Sequence, residues 1–254
     1  MAITYNEAPN IQRTLENLAW AKQIVVIDSF STDETLEILK DFKQVSIFQK
    51  QFDTHANQWN YGLNKIKSDW VLSLDADYVI TTALATEIEL LDQENDVDGY
   101  FIPFKYCVFG KPLQATILPP RLALFRKKNA KYIDDGHTQL LTIIGSSSSL
   151  SCHIYHDDRK PLSRWLWAQD RYMILETQKL INTPISDLSI ADKIRKFKIL
   201  SPFVVFFYCL FLRKGILDGW EGWYYAMQRM LVETLLVIHL IEAEQLSNKP
   251  QSLE

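Results

Sequence analysis

The first 77 residues alternate between short apolar segments and amphipathic segments, and this alternation constrains the fold more than any other feature of the chain. Residues 23–27 are β-branched and almost entirely apolar, as in a strand that is buried on both faces of a sheet. Pro9 favours the start of a helix. Ile11, Leu15 and Leu18 follow it at helical spacing. Strands that alternate with helices pair in parallel through right-handed crossovers, so the sequence predicts a layered α/β fold.

The remaining regular segments follow from the same patterns. Strands are predicted at residues 1–4, 45–48 and 70–74, and helices at residues 35–42 and 57–66. Residues 31–34 match a capping box, in which the Ser31 hydroxyl accepts from the backbone N–H of Glu34. The four consecutive serines at residues 146–149 predict a solvated turn.

Two carboxylates, Asp75 and Asp77, directly follow the strand predicted at residues 70–74, and Asp28 follows the strand at residues 23–27. Because the carboxyl ends of parallel strands meet at one edge of a sheet, we expect these acids to lie along a shared ligand-binding edge. Two carboxylates one residue apart repel each other unless a cation lies between them. A divalent cation that carries a nucleotide diphosphate supplies this charge. The alternative is that Asp75 and Asp77 are turn-forming residues at a strand end.

The composition is that of a globular protein and argues against several partners. With 254 residues, 47% hydrophobic and 23% charged, the chain can form one large domain or one domain with an appendage. The formal net charge of −4 gives no support for a nucleic-acid partner. The three widely spaced cysteines suggest neither a disulfide framework nor a zinc site, which favours a reducing compartment. We expect no secretory signal and therefore a cytoplasmic protein.

Three segments, residues 3–7, 26–35 and 74–77, occur in an order and at spacings that resemble the N-terminal half of family 2 glycosyltransferases with the GT-A fold. The resemblance covers roughly the first hundred residues. It implies a Rossmann-like nucleotide-diphospho-sugar transferase with a mixed sheet flanked by helices. It also implies inverting transfer of a sugar from a nucleotide-diphosphate donor to a hydroxyl of a glycan or lipid-linked acceptor. A protein of another class, a catalytically inactive GT-A-fold binding or scaffold protein, is the alternative.

The resemblance implies a role for each polar cluster. A divalent cation, Mg²⁺ or Mn²⁺, would be held by Asp77 with help from Asp75, and His156 would complete the metal site. The residues implied to line the nucleotide-sugar pocket are Thr4, Tyr5, Asn6, Glu7, Asp28, Ser31, Asp75 and Ala76. The base that deprotonates the acceptor hydroxyl would be Asp135, with Asp134 and His137 as alternatives.

Two of these assignments have simpler alternatives. His156 follows a strand predicted from the alternating pattern of residues 150–155, and it is equally consistent with an ordinary surface or core histidine. His153 is the competing candidate and would point to the opposite face. Residues 134–139 are alternatively a polar turn between two strands.

The second half of the chain predicts helices, of which residues 199–212 are uncharged and rich in aromatic side chains. As a helix this segment spans about 20 Å, short of the ~30 Å hydrocarbon layer of a bilayer. The basic residues on its flanks are Lys193, Arg195, Lys196, Lys198, Arg213 and Lys214. A basic collar around an apolar segment is typical of a helix that lies in the headgroup layer of an anionic membrane. Burial in the core or in a dimer interface is the alternative.

We therefore expect a GT-A catalytic domain at residues 1–158 and a helical, membrane-associating extension at residues 159–254. Residues 215–222 are similar to a segment of bacterial family 2 enzymes that act on lipopolysaccharide core or other lipid-linked glycans. This similarity implies cell-envelope polysaccharide or lipopolysaccharide biosynthesis, at the cytoplasmic face of the inner membrane. Members of the family normally carry more apolar residues before Thr4, so we expect a misassigned start or a truncation.

Overall fold

A computed structural model describes residues 1–91, 96–135 and 138–247 of the chain. The chain divides into two units, Met1–Lys160 and Pro161–Glu254, each with hydrophobic clusters of its own. The first unit combines strands and helices, and the described residues of the second unit are helical or irregular.

The strands of the first unit are β1 (Ala2–Thr4), β2 (Ile24–Asp28), β3 (Val45–Gln49), β4 (Trp70–Leu72), β5 (Leu74–Asp75), β6 (Tyr78–Ile80), β7 (Val97–Ile102), β8 (Phe104–Val108), β9 (Lys111–Pro112), β10 (Arg121–Arg126), β11 (Ala130–Asp135), β12 (Thr138–Ile143), β13 (Ser146–Ser149) and β14 (Ile154–His156). Its α-helices are α1 (Ala8–Glu16), α2 (Thr35–Lys40), α3 (His55–Leu63) and α4 (Thr82–Glu89). The α-helices of the second unit are α5 (Leu162–Asn182), α6 (Ile190–Arg195), α7 (Ser201–Phe207) and α8 (Trp220–Ser247), and a π-helical turn, Tyr208–Leu212, follows α7.

Parallel strands in the order β3-β2-β1-β5 form the sheet that carries the acidic residues. The side chains of Ile24 and Val26 in β2 pack into one hydrophobic cluster. Those of Val25 and Ile27 pack into a second cluster. Burial of this strand on both faces is therefore confirmed, and so is the α/β fold with its flanking helices.

The strand predicted at residues 70–74 is divided between two sheets at Ser73. β4 pairs antiparallel with β10, whereas β5 pairs in parallel with β1. The backbone N–H of Ser73 still donates to the Ala123 carbonyl, at 2.8 Å, and the next N–H, of Leu74, donates to the Met1 carbonyl, at 2.9 Å. The prediction of one uninterrupted strand was wrong, because the backbone exchanges one neighbouring strand for another at this residue.

Two local predictions were also wrong. The predicted capping box does not form, because α2 begins at Thr35 and its N-cap residue, Glu34, makes no side-chain capping hydrogen bond. The Ser31 hydroxyl instead donates to Asp28 and accepts from the N–H of Asn6. The four serines form β13, which pairs in parallel with β7, so that an available sheet edge outweighs the weak strand propensity of serine.

The second unit has a core between α5 and α8. Met173 and Leu180 of α5 pack with Val232 and Leu236 of α8. The guanidinium of Arg195 is paired with Glu176, Asp192 and Glu233 (shortest N–O distances 3.2, 3.0 and 2.9 Å). Arg195 therefore belongs to an internal ion-pair network, and its assignment to an exposed basic collar was wrong.

None of the helices in the described part of the chain combines the length and the hydropathy that a bilayer-spanning segment needs.

An amide side chain of α3 joins this helix to β11. Asn60 Nδ2 donates to the Tyr132 carbonyl at 2.9 Å, and Asn60 Oδ1 accepts from the Tyr132 N–H at 3.0 Å. On its other side, β11 pairs with β12. The side chain of Asn60 thus satisfies the backbone groups of β11 that face away from its partner strand.

We expect the substitution Asn60→Ala to lower the free energy of unfolding by about 1–3 kcal/mol, because it leaves two backbone groups of Tyr132 without partners. Chemical denaturation followed by circular dichroism measures this change. Asn57 is a matched control on the same helix, since it is exposed and its side chain contacts only Asp53 among the hydrogen bonds described. Asn57→Ala should change the stability by less than about 0.5 kcal/mol. Equal losses in the two variants would contradict the role of Asn60.

Candidate functional site

The last residue of β2, Asp28, is buried, and its carboxylate is bound by donors of the chain itself. Oδ1 accepts from Thr4 Oγ1 at 3.0 Å and from Ser31 Oγ at 2.5 Å. Oδ2 accepts from the Ser31 N–H at 2.9 Å and from Gln49 Nε2 at 3.3 Å. These donors come from β1, from the loop after β2 and from β3, so Asp28 fixes the loop that leaves the carboxyl edge of the sheet.

Asn6 joins the loop after β1 to the loop after β2. The Asn6 N–H donates to Ser31 Oγ at 2.9 Å, and Asn6 Oδ1 accepts from the Thr32 N–H at 2.7 Å. Asn6 has a φ of 55° and Phe30 a φ of 61°, and the left-handed region is less favourable for a bulky ring than for asparagine. Strained residues of this kind often occur at ligand sites. The rings of Tyr5 and Phe30 are exposed on the two joined loops.

Asp77 and His156 meet at this edge because β14 pairs antiparallel with β6, which places His156 opposite Tyr78. Asp77 Oδ2 lies 3.1 Å from His156 Nε2. The imidazole ring is held between the rings of Tyr78 and Tyr106, each with its centroid 5.1 Å away. In the described part of the chain, neither Asp77 Oδ1 nor His156 Nδ1 has a hydrogen-bond partner, although both atoms are buried.

The two charges of this pair stabilise each other against burial. Burial disfavours the imidazolium form of His156, but the charge and the hydrogen bond of Asp77 outweigh it and raise the pKa of His156 above its usual 6.5. Burial also disfavours the Asp77 carboxylate. The positive charges of His156 and Lys160 outweigh this effect of burial and hold the pKa of Asp77 below its usual 3.8. Between pH 3.8 and pH 6.5 the pair is therefore an ion pair.

Lys160 brings a second positive charge to this cluster. Its Nζ lies 2.7 Å from Glu7 Oε1 and 3.8 Å from Asp158 Oδ1. Burial disfavours the ammonium group, but Glu7 and Asp77 outweigh it and raise the pKa of Lys160. The amide of Asn10 donates to both Glu7, at 3.0 Å, and Asp158, at 2.9 Å. Glu7 is therefore held by Lys160 and Asn10 at the base of the loop after β1.

The first acid of the pair, Asp75, faces an arginine. Arg121 Nη1 lies 3.7 Å from Asp75 Oδ2 and donates to the Tyr78 hydroxyl at 2.9 Å. Between the two acids, the carbonyl of Ala76 accepts from Thr14 Oγ1 of α1 at 2.7 Å. Asp75 and Asp77 thus have different neighbours, a half-exposed arginine for the first and a partly buried histidine for the second.

Two of the three candidates for the base, Asp134 and Asp135, are the last residues of β11. Asp134 Oδ1 accepts from the N–H of Ala56 at 3.0 Å, in the first turn of α3. Asp135 is exposed and lies opposite Thr138 in the β11–β12 pairing. Successive side chains of a strand point to opposite faces, so Asp135 faces away from α3. His137 lies outside the described residues.

The structure thus brings Asp77 and His156 together, and it places Thr4, Asn6, Asp28 and Ser31 in one hydrogen-bonded network. Within the described residues, no group of three or more His, Cys, Asp or Glu side chains has the geometry of a metal site. Lys160 and Arg121 were missed by the sequence analysis. Each becomes recognisable only when strands distant in the sequence are placed side by side.

A parallel sheet with acidic and basic residues at its carboxyl edge defines an α/β protein whose ligand site lies at the strand ends. The family model "Glycosyl transferase family 2" matches residues 2–155, which is more than half of the chain. The chain therefore belongs to glycosyl transferase family 2.

Curated relatives match parts of the chain. An uncharacterized glycosyltransferase of Rickettsia bellii (strain RML369-C) is 31% identical over 99 residues, which cover 39% of this chain and 33% of the relative. The SPbeta prophage-derived glycosyltransferase SunS of Bacillus subtilis (strain 168) is 37% identical over 81 residues, which cover 30% of this chain and 18% of SunS. A poly-beta-1,6-N-acetyl-D-glucosamine synthase of Staphylococcus epidermidis is 36% identical over 85 residues, which cover 30% of this chain and 20% of the synthase. In each case the match spans a third or less of the relative.

Solved structures confirm the GT-A fold. The mannosyltransferase PcManGT from Pyrobaculum calidifontis, in complex with GDP-Man and Mn²⁺, superposes with a TM-score of 0.53 at 14% identity, over 96% of this chain and 84% of that one. Residues 1–349 of S. aureus TarS, in complex with UDP-GlcNAc, superpose with a TM-score of 0.51 at 16% identity, over 96% of this chain and 90% of that one. At these identities the likeness is one of fold.

We expect Asp77→Asn to lower the pKa of His156, because the carboxylate that most strongly opposes the effect of burial is removed, while Asp75 and Asp158 remain. NMR titration of the histidine ring protons in EDTA-containing buffer measures this shift. Asp158 raises the pKa of His156 less than Asp77 does, so Asp158→Asn should lower that pKa by a smaller amount. A His156 pKa that is the same in Asp77→Asn as in the wild type would contradict the ion pair.

The same pair makes stability depend on pH. Because the folded-state pKa of His156 is raised, its contribution is complete below pH 6.5 and is lost as the pH rises through the folded-state value. The contribution of Asp77, whose pKa is lowered, is lost as the pH falls through its own folded-state value. The difference in the free energy of unfolding between the wild type and Asp77→Asn should therefore be largest at pH values between the folded-state pKa of Asp77 and that of His156.

Proposed function

We propose that the protein is an inverting glycosyltransferase that moves a sugar from a nucleotide-diphosphate donor to a hydroxyl group of a glycan or lipid-linked acceptor. The observation that carries this proposal is the buried Asp77 at the carboxyl edge of the parallel sheet. One of its oxygens is paired with His156, and the other has no partner in the described residues. Lys160 and Arg121 add positive charge around it, as a site for a diphosphate requires.

Support for a nucleotide-sugar donor comes from the two joined loops at the same edge. Asp28, Ser31 and Asn6 hold these loops in one arrangement, which leaves the rings of Tyr5 and Phe30 exposed. Exposed aromatic rings on rigid loops suit stacking against a nucleotide base. UDP-GlcNAc in TarS and GDP-Man in PcManGT are donors of the proposed class.

The residues present fit a divalent cation. Asp77 Oδ1 is a buried carboxylate oxygen without a partner in the described residues, and carboxylate oxygen suits Mg²⁺ and Mn²⁺. Mg²⁺ is often bound by only one or two carboxylates and completed by substrate phosphates, so a site with few protein ligands is acceptable. Asp77, with Asp75 and His156 near it, would hold Mg²⁺ or Mn²⁺. When bound, the ion shields the charge that develops on the departing nucleotide diphosphate.

The chain's own residues provide the other requirements of transfer. Lys160 and Arg121 keep positive charge near the diphosphate. Glu7 and Asp77 raise the pKa of Lys160 against the effect of burial, and Tyr78, together with Asp75 and Asp77, raises the pKa of Arg121. Asp135 takes the proton from the acceptor hydroxyl. The acceptor oxygen then bonds to the anomeric carbon from the side opposite the diphosphate, and the bond between that carbon and the phosphate oxygen breaks. One displacement of this kind inverts the configuration of the sugar.

For the acceptor we propose a component of cell-envelope polysaccharide or lipopolysaccharide, with the protein peripheral on the cytoplasmic face of the inner membrane. The similarity of residues 215–222 to enzymes of lipid-linked glycans and the polysaccharide synthase of S. epidermidis among the relatives support this class.

The first test identifies the donor and the role of Asp77. A thermal-shift panel of UDP-, GDP- and ADP-sugars selects the donor, since a bound donor raises the melting temperature. Transfer and hydrolysis of that donor are then assayed with EDTA, with Mg²⁺ and with Mn²⁺. We expect EDTA to remove activity and Asp77→Asn to lower kcat/KM by about 10²–10³-fold, the range seen when one group that stabilises developing charge is removed.

Asp69 is the matched control for this substitution, because it is an exposed acid at the other end of the strand region that leads to Asp77. Asp69→Asn should keep full activity. Unchanged activity of Asp77→Asn would contradict its role in the site. Donor binding without transfer or hydrolysis in the wild type would favour the inactive scaffold protein.

The second test separates the candidates for the base. We expect Asp135→Asn to lower kcat by about 10²–10⁴-fold while the affinity for the donor stays nearly constant. Asp134→Asn is the control, because an asparagine oxygen can still accept from Ala56 at the start of α3, and activity should be retained. The reverse result would move the role to Asp134, and activity in both variants would move it to His137.

A further inference from the structure

Apart from the buried Ser201, the helical segment from Leu200 to Leu212 is apolar on both of its faces. Its inner face contains Pro202, Cys209 and Leu210, which are buried. Its outer face, at positions 200, 203, 204, 207, 208, 211 and 212, consists only of large apolar or aromatic side chains, and all of them are exposed. These positions follow the i, i+3, i+4 spacing of a single helix face. They line a shallow groove of about 480 Å³.

A surface of this kind is unusual for a helix that faces water. A helix that packs on one side normally carries polar residues on the other. Seven half-exposed side chains of this size present on the order of 600 Å² of apolar surface, estimated from ~150–250 Å² for a large aromatic residue. The largest apolar patch on a typical monomer is about 300–600 Å² and is often functional. The outer face of this segment, which we call the apolar ridge, therefore needs a partner that covers it.

Exposed basic residues stand at both ends of the apolar ridge. Lys193 and Lys196 precede it, and Arg213 and Lys214 follow it. The two other basic residues of the region, Arg195 and Lys198, are ion-paired within the second unit. The sequence from position 193 to position 217 contains no acidic residue. The ridge is thus apolar along its length and positive at its ends.

We propose that the apolar ridge lies in the headgroup layer of an anionic lipid bilayer, parallel to the membrane plane. The apolar and aromatic side chains enter the boundary of the acyl chains, and the basic residues at both ends contact lipid phosphates. The inference rests on the peripheral location proposed above, but its test measures vesicle binding without donor or acceptor, so that either proposal can fail alone.

Charge favours a bilayer over a second copy of the chain. In a symmetric dimer the same surface is used twice, and two antiparallel copies of the ridge bring Lys193 and Lys196 of one copy close to Arg213 and Lys214 of the other. Like charges at both ends oppose such a dimer. Lipid phosphates neutralise both ends at once.

The test is flotation of the full chain with vesicles of phosphatidylcholine alone or with 30% phosphatidylglycerol, a composition chosen at roughly physiological anionic content. We expect the wild type to float with the anionic vesicles and not with the neutral ones, and to be released as the salt concentration rises. The double variant Leu200→Glu/Leu212→Glu should lose binding by more than about tenfold, because two charges then enter the apolar layer. The double variant Lys193→Ala/Lys196→Ala should bind the anionic vesicles roughly thirty-fold more weakly than the wild type.

Leu90→Glu/Ile144→Glu is the matched control, since these residues are 80% and 76% exposed, against 62% and 75% for Leu200 and Leu212. All four side chains are exposed, so the variants should fold, which melting temperatures check. Binding of the control equal to the wild type supports the proposal. Failure of the wild type to bind anionic vesicles, or unchanged binding of Leu200→Glu/Leu212→Glu, overturns it. A lipid-free dimer that Leu200→Glu/Leu212→Glu converts to a monomer overturns it in favour of self-association.

Discussion

The ion pair of Asp77 and His156 is the interaction on which the candidate site depends. A carboxylate that is removed from water needs a matched charge or a bound cation. Here β14 must run antiparallel to β6 for the histidine to face the acid, and the neighbouring tyrosine rings fix the imidazole plane. The register of two strands therefore determines the protonation of the site, and the protonation determines which ligands the free oxygen of Asp77 accepts.

The elements that bury a continuous apolar face could be predicted from the sequence. After Gln23, residues 24–27 carry only apolar side chains, and exposing them to water would cost stability. They form β2 as expected. The acids at its end and after β5 follow directly, because strand ends determine where Asp28 and Asp75 lie. His156 was a candidate because it follows the strand predicted at residues 150–155, and in the structure it is paired with Asp77.

Other features depend on contacts that no local pattern records. Arg121 meets Asp75 across 46 positions of sequence, and Lys160 meets Glu7 only after the whole first unit has folded. The Ser31 hydroxyl accepts from the Asn6 N–H and donates to the buried carboxylate of Asp28, so it does not cap the start of α2. The serine strand β13 forms because β7 offers an edge. The family match ends at residue 155, so the proposal for the apolar ridge is supported only by the exposure and the charge of its residues.

The exchange of neighbours at Ser73 has a consequence for how such a chain can vary. On one side of this residue the backbone is in register with β10, and on the other side it is in register with β1. Side chains alternate between faces with every residue, so deleting or inserting one residue here would turn both acids to the wrong side of the sheet. Replacement of single amino acids can be tolerated in this stretch, but a change in its length cannot.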